Sequence, residues 1–317
     1  MAYSPDMELH PDARRLADQA VPRDLRTVPL DVLRTGAAVQ ARARGDGPSV
    51  AMIREEMVAG VPVRLYRPAA ASGAAVVYFH GGGWVLGGLD SIDRTCRLLA
   101  DGADLTVVNV DYRLAPEHPF PAAFDDALAV TRWAVDGGGD LGIDGARVGV
   151  AGDSAGGNLA AAVALACRSA VAAQLLVYPA VDATMSSASA QSYVEGPGLV
   201  ADEMRWFYEQ YAPGVPRDEW RLSPLLAPDL TGAPPALVIT AEHDPLRDEG
   251  ESYALALAEA GVDATSVRYQ GVTHGFFGWG AVIAPGATAT AQAIDWLSQR
   301  LRSGHRGHGP RSRQGVA

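Results

Sequence analysis

The stretch Gly152-Asp153-Ser154-Ala155-Gly156 has the form Gly-x-Ser-x-Gly. A serine in that setting can serve as a nucleophile. Flanking glycines allow a strained turn where a Cβ would clash, and the turn lifts Oγ clear of the backbone. Before it, 147–151 (RVGVA) reads as a short buried strand; after it, 158–168 (NLAAAVALACR) reads as an Ala-rich helix. The serine is therefore expected on a strand-to-helix turn at the carboxyl edge of a sheet. The same five-residue pattern also occurs in ordinary Gly-rich turns, so the assignment depends on companions elsewhere in the chain.

A nucleophilic serine needs a base, and the base needs an orienting acid. Seven histidines compete. His10, His305 and His308 lie toward the ends, and His80 and His118 precede the serine, against the expected order Ser, Asp, His. His243 is adjacent to Asp244, and neighbouring residues rarely both point into one site. His274 follows the last expected strand, in the turn Gly271-Val272-Thr273-His274-Gly275-Phe276. For the acid, Asp244 ends the loop after the strand ALVIT, and Pro245 fixes the turn; Asp182, after the strand QLLVY, is the rival. Asp248 and Asp263 read as helix-surface residues. The reading is Ser154, Asp244 and His274, each just past the carboxyl end of a separate strand, where open parallel sheets bind ligands.

The run His80-Gly81-Gly82-Gly83-Trp84 follows a buried strand directly. Such a loop can turn backbone N–H groups toward a developing oxyanion, with the N–H of Ala155 supplying the other half. A phosphate loop would need Lys-Ser/Thr or Gly-x-Gly-x-x-Gly opening a helix, and neither is there. His80 reads as a structural anchor of the loop.

These residues must be held by a framework, and the chain supplies one. It has 317 residues, 48% hydrophobic, with a net charge of −11, which argues against nucleic acid and anionic membrane surfaces. No apolar run approaches the ~18 residues of a membrane span. The first residues lack the basic start and apolar stretch of a secretory leader. Cys96 and Cys167 both fall in expected helices and suit free thiols in a cytoplasmic protein. No Cys/His spacing for a metal is visible.

Residues 1–47 read as a helical arm, and 51–58 with 61–67 as an antiparallel hairpin around Gly60. Continuous apolar strands at 74–79, 105–110, 147–151, 174–178 and 236–240 alternate with helices at 91–103, 122–135, 158–168 and 249–260. A strand at 265–269 and a helix at 287–301 close the domain, and 303–317 reads as a disordered tail. The alternation means an α/β fold, a mostly parallel sheet with helices on both faces. The rhythm breaks at 182–232, a strandless insertion with an aromatic helix at 202–211; with the arm, it is expected to cap the site.

Taken together, HGGGW at 80–84, DYRLAPEHPFPAAFDD at 111–126, GDSAGGNLA at 152–160, DPLRDEG at 244–250 and HGF at 274–276 resemble the bacterial hormone-sensitive lipase family, the family IV esterases, in its GDSAG-type subgroup. The resemblance runs from about 50 to 300. It implies an α/β-hydrolase fold with an eight-stranded sheet over 48–302 and a cap built from the N-terminal helices plus the insertion after the sixth strand. It also implies hydrolysis of short- to medium-chain esters without a cofactor. By motif, Ser154, Asp244 and His274 form the triad, and Gly82, Gly83 and Ala155 donate to the oxyanion. Asp153 is expected to brace the serine turn, and DYRLAPEHPFP to be a supporting loop. Trp84, Leu199, Trp206, Phe207 and Tyr211 are candidates for the substrate pocket, or for the core of the cap.

The expected function is a serine carboxylesterase acting on a small-molecule ester, with a homodimer left open. An N- or O-acetyl hydrolase of a secondary metabolite would use the same site. A non-catalytic ligand-binding member of the fold would lack a triad or oxyanion element, and none is missing here.

Overall fold

The computed structural model describes residues 8–19 and 24–302. The expected tail at 303–317, with His305 and His308, lies outside them, as do 1–7 and 20–23 of the arm.

In chain order the elements are α1 (Pro11–Ala17), α2 (Leu30–Ala43), β1 (Met52–Val58), β2 (Val61–Arg67), β3 (Ala75–Phe79), α3 (Asp93–Ala103), β4 (Thr106–Val110), α4 (Ala122–Val135), β5 (Val148–Asp153), α5 (Ala155–Cys167), β6 (Ala173–Val177), α6 (Ala188–Ser192), α7 (Ala201–Tyr211), β7 (Ala236–His243), α8 (Arg247–Glu259), β8 (Ala264–Thr273) and α9 (Ala284–Arg300). The strands form one eight-stranded sheet in the order β1-β2-β4-β3-β5-β6-β7-β8. β1, β2 and β4 pair antiparallel; every later pairing is parallel.

The hairpin turns where the sequence says it should. Ala59 (φ 50°) and Gly60 (φ 84°) are both left-handed, a two-residue turn whose twist matches the strands it joins. The apolar runs become the central strands β3, β4, β5 and β6, buried at every residue. Successive side chains point to opposite faces, so each strand feeds two cores. Val77 and Phe79 pack with α4, α5 and α8. Val76 and Tyr78 pack with α3 and α9. α5 is buried at nearly every position, because its alanines and glycines let it nest against the sheet on all sides.

Several boundaries differ from the sequence reading; β7, for one, runs on past Thr240 to His243, so Asp244 directly follows the strand. β5 runs on to Asp153, which pairs with Val177 of β6. α5 starts at Ala155 rather than Asn158: Gly156 and Gly157 are poor helix formers, but a Cβ on Gly156 would lie 1.9 Å from Phe79 O. Close approach to the sheet outweighs propensity there. β8 extends to Thr273 past Gly271 (φ 68°), with an irregular register opposite Ala241 and His243, so the strand delivers the chain directly to His274. Asp263 sits in the turn before β8, not on a helix.

Between β6 and β7 the chain forms α6, α7 and a short 3-10 turn at Pro224–Leu226, with no strand. No described helix is long and apolar enough to cross a membrane.

Candidate active site

Ser154 sits between β5 and α5 at φ 58°, ψ −120°, a conformation that costs a non-glycine residue about 1–3 kcal/mol. Its neighbours hold it there. Ser154 N–H donates to Val177 O (2.9 Å), and its carbonyl accepts from Asn158 N (3.0 Å) and Ala180 N (3.3 Å). A Cβ on Gly152 would lie 2.2 Å from Gly156 O, so the glycines of the motif are required by contact.

The last strand places His274 against the serine. His274 Nε2 is 2.9 Å from Ser154 Oγ, and Nδ1 is 2.7 Å from Asp244 Oδ2. Asp244 is fully buried, and its Oδ1 accepts from Leu246 N (2.9 Å). A carboxylate only accepts, so the imidazole proton belongs on Nδ1 and Nε2 is free to accept the serine O–H. The ring of Tyr178, itself at φ 35°, packs against the imidazole with centroids 4.4 Å apart. Strands β5, β7 and β8 thus bring the three predicted residues together.

The rivals are elsewhere. His243 lies among Glu242, Glu8, Arg14 and Arg247, and burial lowers its pKa. Asp182 is buried and committed to its own loop, accepting from Thr184 N (2.9 Å) and Ser186 Oγ (2.8 Å). Asp248 accepts from Ser189 N (2.8 Å), tying α6 to α8.

The glycine loop crosses in front of the serine. Gly82 (φ 124°) and Gly83 (φ 61°) are in backbone conformations that favour glycine. Among the described residues, the N–H groups of Gly82, Gly83 and Ala155 donate to no other protein group. His80 is fully buried, stacked on Tyr112 (centroids 4.3 Å), with Nδ1 2.8 Å from Gly81 O. Burial lowers its pKa to about 4, so the ring is a neutral donor to that carbonyl. Asp153 joins loop to serine turn: Oδ1 accepts from Gly81 N (3.0 Å) and Tyr78 OH (3.2 Å). Burial raises its pKa, while Arg44, Tyr78, the Gly81 N–H and His274 pull the other way.

The supporting loop behaves as its sequence suggested. Tyr112 OH donates to His80 O (2.7 Å), and Arg113 grips the buried Asp126 through Nε and Nη2.

The five pocket candidates separate into two groups. Trp84 is fully buried and stacked on Tyr211 (centroids 4.5 Å), with Tyr208 tilted against it. That pair is packed as core. Phe207 instead stands over the glycine loop: a Cβ on Gly83 would lie 2.1 Å from its ring. Trp206 meets Phe207 edge-on; both are buried in the same core cluster as Trp84, and Leu199 is half-buried against that cluster. The adjoining loop packs on the residue before the base, since a Cβ on Gly198 would lie 3.0 Å from Thr273 Cβ.

Four residues that the sequence reading passed over belong to this neighbourhood. Tyr178 backs His274, and its only signal was its place at the end of the strand QLLVY. Glu249 is buried within DPLRDEG, its Oε1 accepting from Val181 N (2.8 Å) and Asp182 N (3.2 Å). Arg44 donates to Ser91 O (2.7 Å) and lies over Trp279. Arg34 reaches the glycine loop from α2. The two arginines lie in an arm that matches no motif.

Comparison with known proteins agrees with this geometry. A family described as the alpha/beta hydrolase fold matches residues 76–278. The chain is 44% identical to an ethyl acetate hydrolase of Pseudomonas putida over 252 residues, 76% of this chain and 79% of the relative. It is 43% identical to a carboxylesterase of Mycobacterium tuberculosis over 253 residues, 77% of this chain and 79% of the relative. Among solved structures it superposes on a hyperthermophilic esterase from Pyrobaculum calidifontis with a TM-score of 0.87 at 40% identity, covering 92% of this chain and 99% of that one. The chain belongs to the α/β-hydrolase fold family, among its hormone-sensitive-lipase-like carboxylesterases.

Proposed function

We propose that this carboxylesterase works through an acyl-enzyme on Ser154, with His274 as general base and Asp244 as its orienting carboxylate. The reading rests on one observation: two consecutive hydrogen bonds, Ser154–His274 and His274–Asp244, at 2.9 and 2.7 Å. His274 Nε2 takes the hydroxyl proton as Oγ attacks the ester carbonyl. The tetrahedral oxyanion is held by the N–H groups of Gly82, Gly83 and Ala155. His274 then gives its proton to the leaving alcohol. Water attacks the acyl-enzyme by the same route in reverse, releasing the acid and restoring Ser154. No step requires a metal or an organic cofactor.

Residues 24–46 and 182–232 form the cap over this edge in our reading. Phe207, above Gly83, walls a short acyl pocket in this reading, with Leu199 as a second candidate, while Trp84 and Tyr211 brace the cap from within. Short- to medium-chain esters are the proposed substrates; the named activity of the Pseudomonas relative on ethyl acetate fits that size. We place the protein in the cytoplasm, where the free Cys96 and Cys167 stay reduced. A homodimer is the assembly for sedimentation to test.

A series of p-nitrophenyl esters from acetate to palmitate tests the reading, alongside a serine-directed phosphonate. The expected result is label on Ser154 and turnover falling steeply beyond medium chains. Label on another serine, or a rate that rises toward palmitate, would contradict it.

A further inference from the structure

The glycine loop has few internal bonds to hold its shape. Gly82 O accepts from Val85 N (3.1 Å) and Leu86 N (2.8 Å), which closes the turn, and Trp84 O accepts from Ala115 N (2.9 Å) of the supporting loop. The carbonyl of the buried Val85 is met from outside, by Arg34 of α2. Arg34 Nε donates to Val85 O (3.0 Å), and Nη2 donates to Ala115 O (3.1 Å). The remaining donors meet Glu117: Nη1 to Oε1 and Nη2 to Oε2, both 2.7 Å. This pairing lowers the Glu117 pKa to about 2. One planar fork therefore ties the turn at Val85 to the supporting loop at Ala115, held in orientation by a carboxylate.

We propose that Arg34 is a positioning residue for the oxyanion hole. The inference rests on Gly82 and Gly83 being oxyanion donors. The Val85 carbonyl shares its peptide with Leu86 N–H, and the Trp84 carbonyl, bonded by Ala115 N, shares its peptide with Val85 N–H. Both N–H groups donate to Gly82 O, whose peptide carries the Gly83 N–H, so holding the two carbonyls steadies the aim of that donor. A buried carbonyl that loses its donor turns to find another; that turn moves Leu86 N–H, which bonds Gly82 O, and at Gly82 and Gly83 the backbone offers little resistance to rotation. The N-terminal arm thus contributes to the chemical step as well as covering it. Lysine is no substitute, because a point charge on a flexible stem cannot reproduce the fork.

The test compares Arg34→Ala and Arg34→Lys with the wild type on p-nitrophenyl acetate, a substrate too small to depend on a distant roof. Phosphonate labelling of wild-type Ser154 comes first and tests the underlying reading by itself; label elsewhere would end that reading whatever Arg34 does. With Ser154 labelled, Arg34→Ala should lose kcat by about 10–100-fold, the scale of a misplacement near 1 Å, with KM nearly unchanged. Arg34→Lys should stay close to Arg34→Ala, and added guanidinium below denaturing concentration should restore part of kcat to Arg34→Ala. A folded Arg34→Ala with wild-type kcat, or one in which only KM rises, overturns the proposal. If Arg34→Ala does not fold, Arg34→Lys decides by the same kcat criterion.

Discussion

Two regions meet over Ser154, and they are held by different physics. The carboxyl edge of the sheet is fixed by backbone contact and strain. Trp84 (φ 60°), Ser154 (φ 58°) and Tyr178 (φ 35°) all adopt left-handed conformations there, and Asp153, Asp244 and His80 are buried. The covering segments are fixed by side-chain reach. Arg26 pairs with Glu209 of α7, Arg34 with Glu117, and Arg44 lies over Trp279. Strain of about 1–3 kcal/mol per residue persists only where packing over-determines the backbone, whereas exposed ion pairs yield readily to salt and solvent. The edge is thus suited to hold reacting atoms still, while the segments proposed as the roof are held by contacts that yield more readily.

The largest effects should come from the edge. Ser154→Ala should lower turnover by about 10⁴–10⁶, since removing the nucleophile of a triad leaves only binding and oxyanion stabilisation. Circular dichroism should be unchanged, because alanine needs no more room than serine. His274→Ala should lose nearly as much. Asp244→Asn should lose about 10⁴, because the amide favours the wrong imidazole tautomer. His243→Ala and Asp182→Asn are the matched controls. His243 meets Glu242, and Asp182 serves its own loop, so turnover should stay near wild type in both. A crippled Asp182→Asn with a healthy Asp244→Asn would move the acid to the loop after β6.

A contact between the two regions gives the next test. Gly83→Ala places a Cβ 2.1 Å from the Phe207 ring, at a backbone φ of 61°. The loop or α7 must then shift, and kcat should fall by about 10² if the displacement reaches 1 Å. Phe207→Ala removes the ring but not the strained φ, so the double variant should recover only part of the loss. Full recovery would mean that the roof alone sets the geometry of the glycine loop. No loss in Gly83→Ala would remove the loop from the site.

Glu249 sharpens the comparison from beneath the edge. It is buried and its Oε2 has no partner among the described residues. Burial raises its pKa well above the usual carboxylate value; the N–H groups of Val181 and Asp182 oppose this, and Asp182 and Asp244 reinforce it. A raised folded-state pKa favours the protonated form. Its contribution to stability is full below the unfolded value and lost as pH rises through the folded one. Glu249→Gln mimics the neutral carboxyl at every pH while its amide oxygen still accepts the two N–H bonds. The variant should match wild type near pH 4 and become the more stable protein as pH rises, by about 1–3 kcal/mol, the scale of an unsatisfied buried polar group. Denaturant titration across that range measures it. A gap that is constant with pH would show that folding does not raise the Glu249 pKa.

The edge was legible in the sequence because its constraints are local. Continuous apolar strands, glycines demanded by close contact and a serine between strand and helix all leave marks on adjacent residues. Ser154 could be read from such marks; His274 and Asp244 also needed the expected order of the three residues along the chain, and Asp182 stayed a rival acid until the motifs were compared. The start of α5 was missed because Gly156 and Gly157 discourage a helix, while the requirement they meet, contact with Phe79 O, spans two strands. The end of β8 was missed because Gly271 reads as a break, whereas here the strand bends and continues. The roof was legible only in outline. Arg34 reaches Val85, Ala115 and Glu117, residues 51 to 83 positions away, and no periodicity in a polar helical arm announces such a reach. Trp84 shows the same limit: its place after the glycines left a pocket wall and a place in the core equally open, and the partners that decide for the core, Tyr208 and Tyr211, come from α7.

The smallest effect belongs to the most exposed link in the roof. Arg26 donates to Glu209 through Nη1 (2.6 Å) and Nη2 (3.1 Å), joining the arm to α7. Both side chains are largely in water, with 41% and 49% exposure. Two long side chains must be ordered to form the pair, and solvent screens what they gain, so many such pairs contribute nothing measurable. Arg26→Ala should therefore leave kcat on p-nitrophenyl acetate unchanged and alter KM by less than about twofold, within the range measured for exposed pairs. Raising salt to about 1 M, where the screening length is about 3 Å, should erase even that difference. The contrast with Arg34 is the point of the measurement. Both arginines sit in the arm and both hold a carboxylate in a bidentate grip, but only Arg34 also holds a buried backbone carbonyl of the glycine loop. If Arg26→Ala proved as damaging as Arg34→Ala, docking of the arm as a whole would govern the rate, and the division between a rigid edge and a yielding roof would fail.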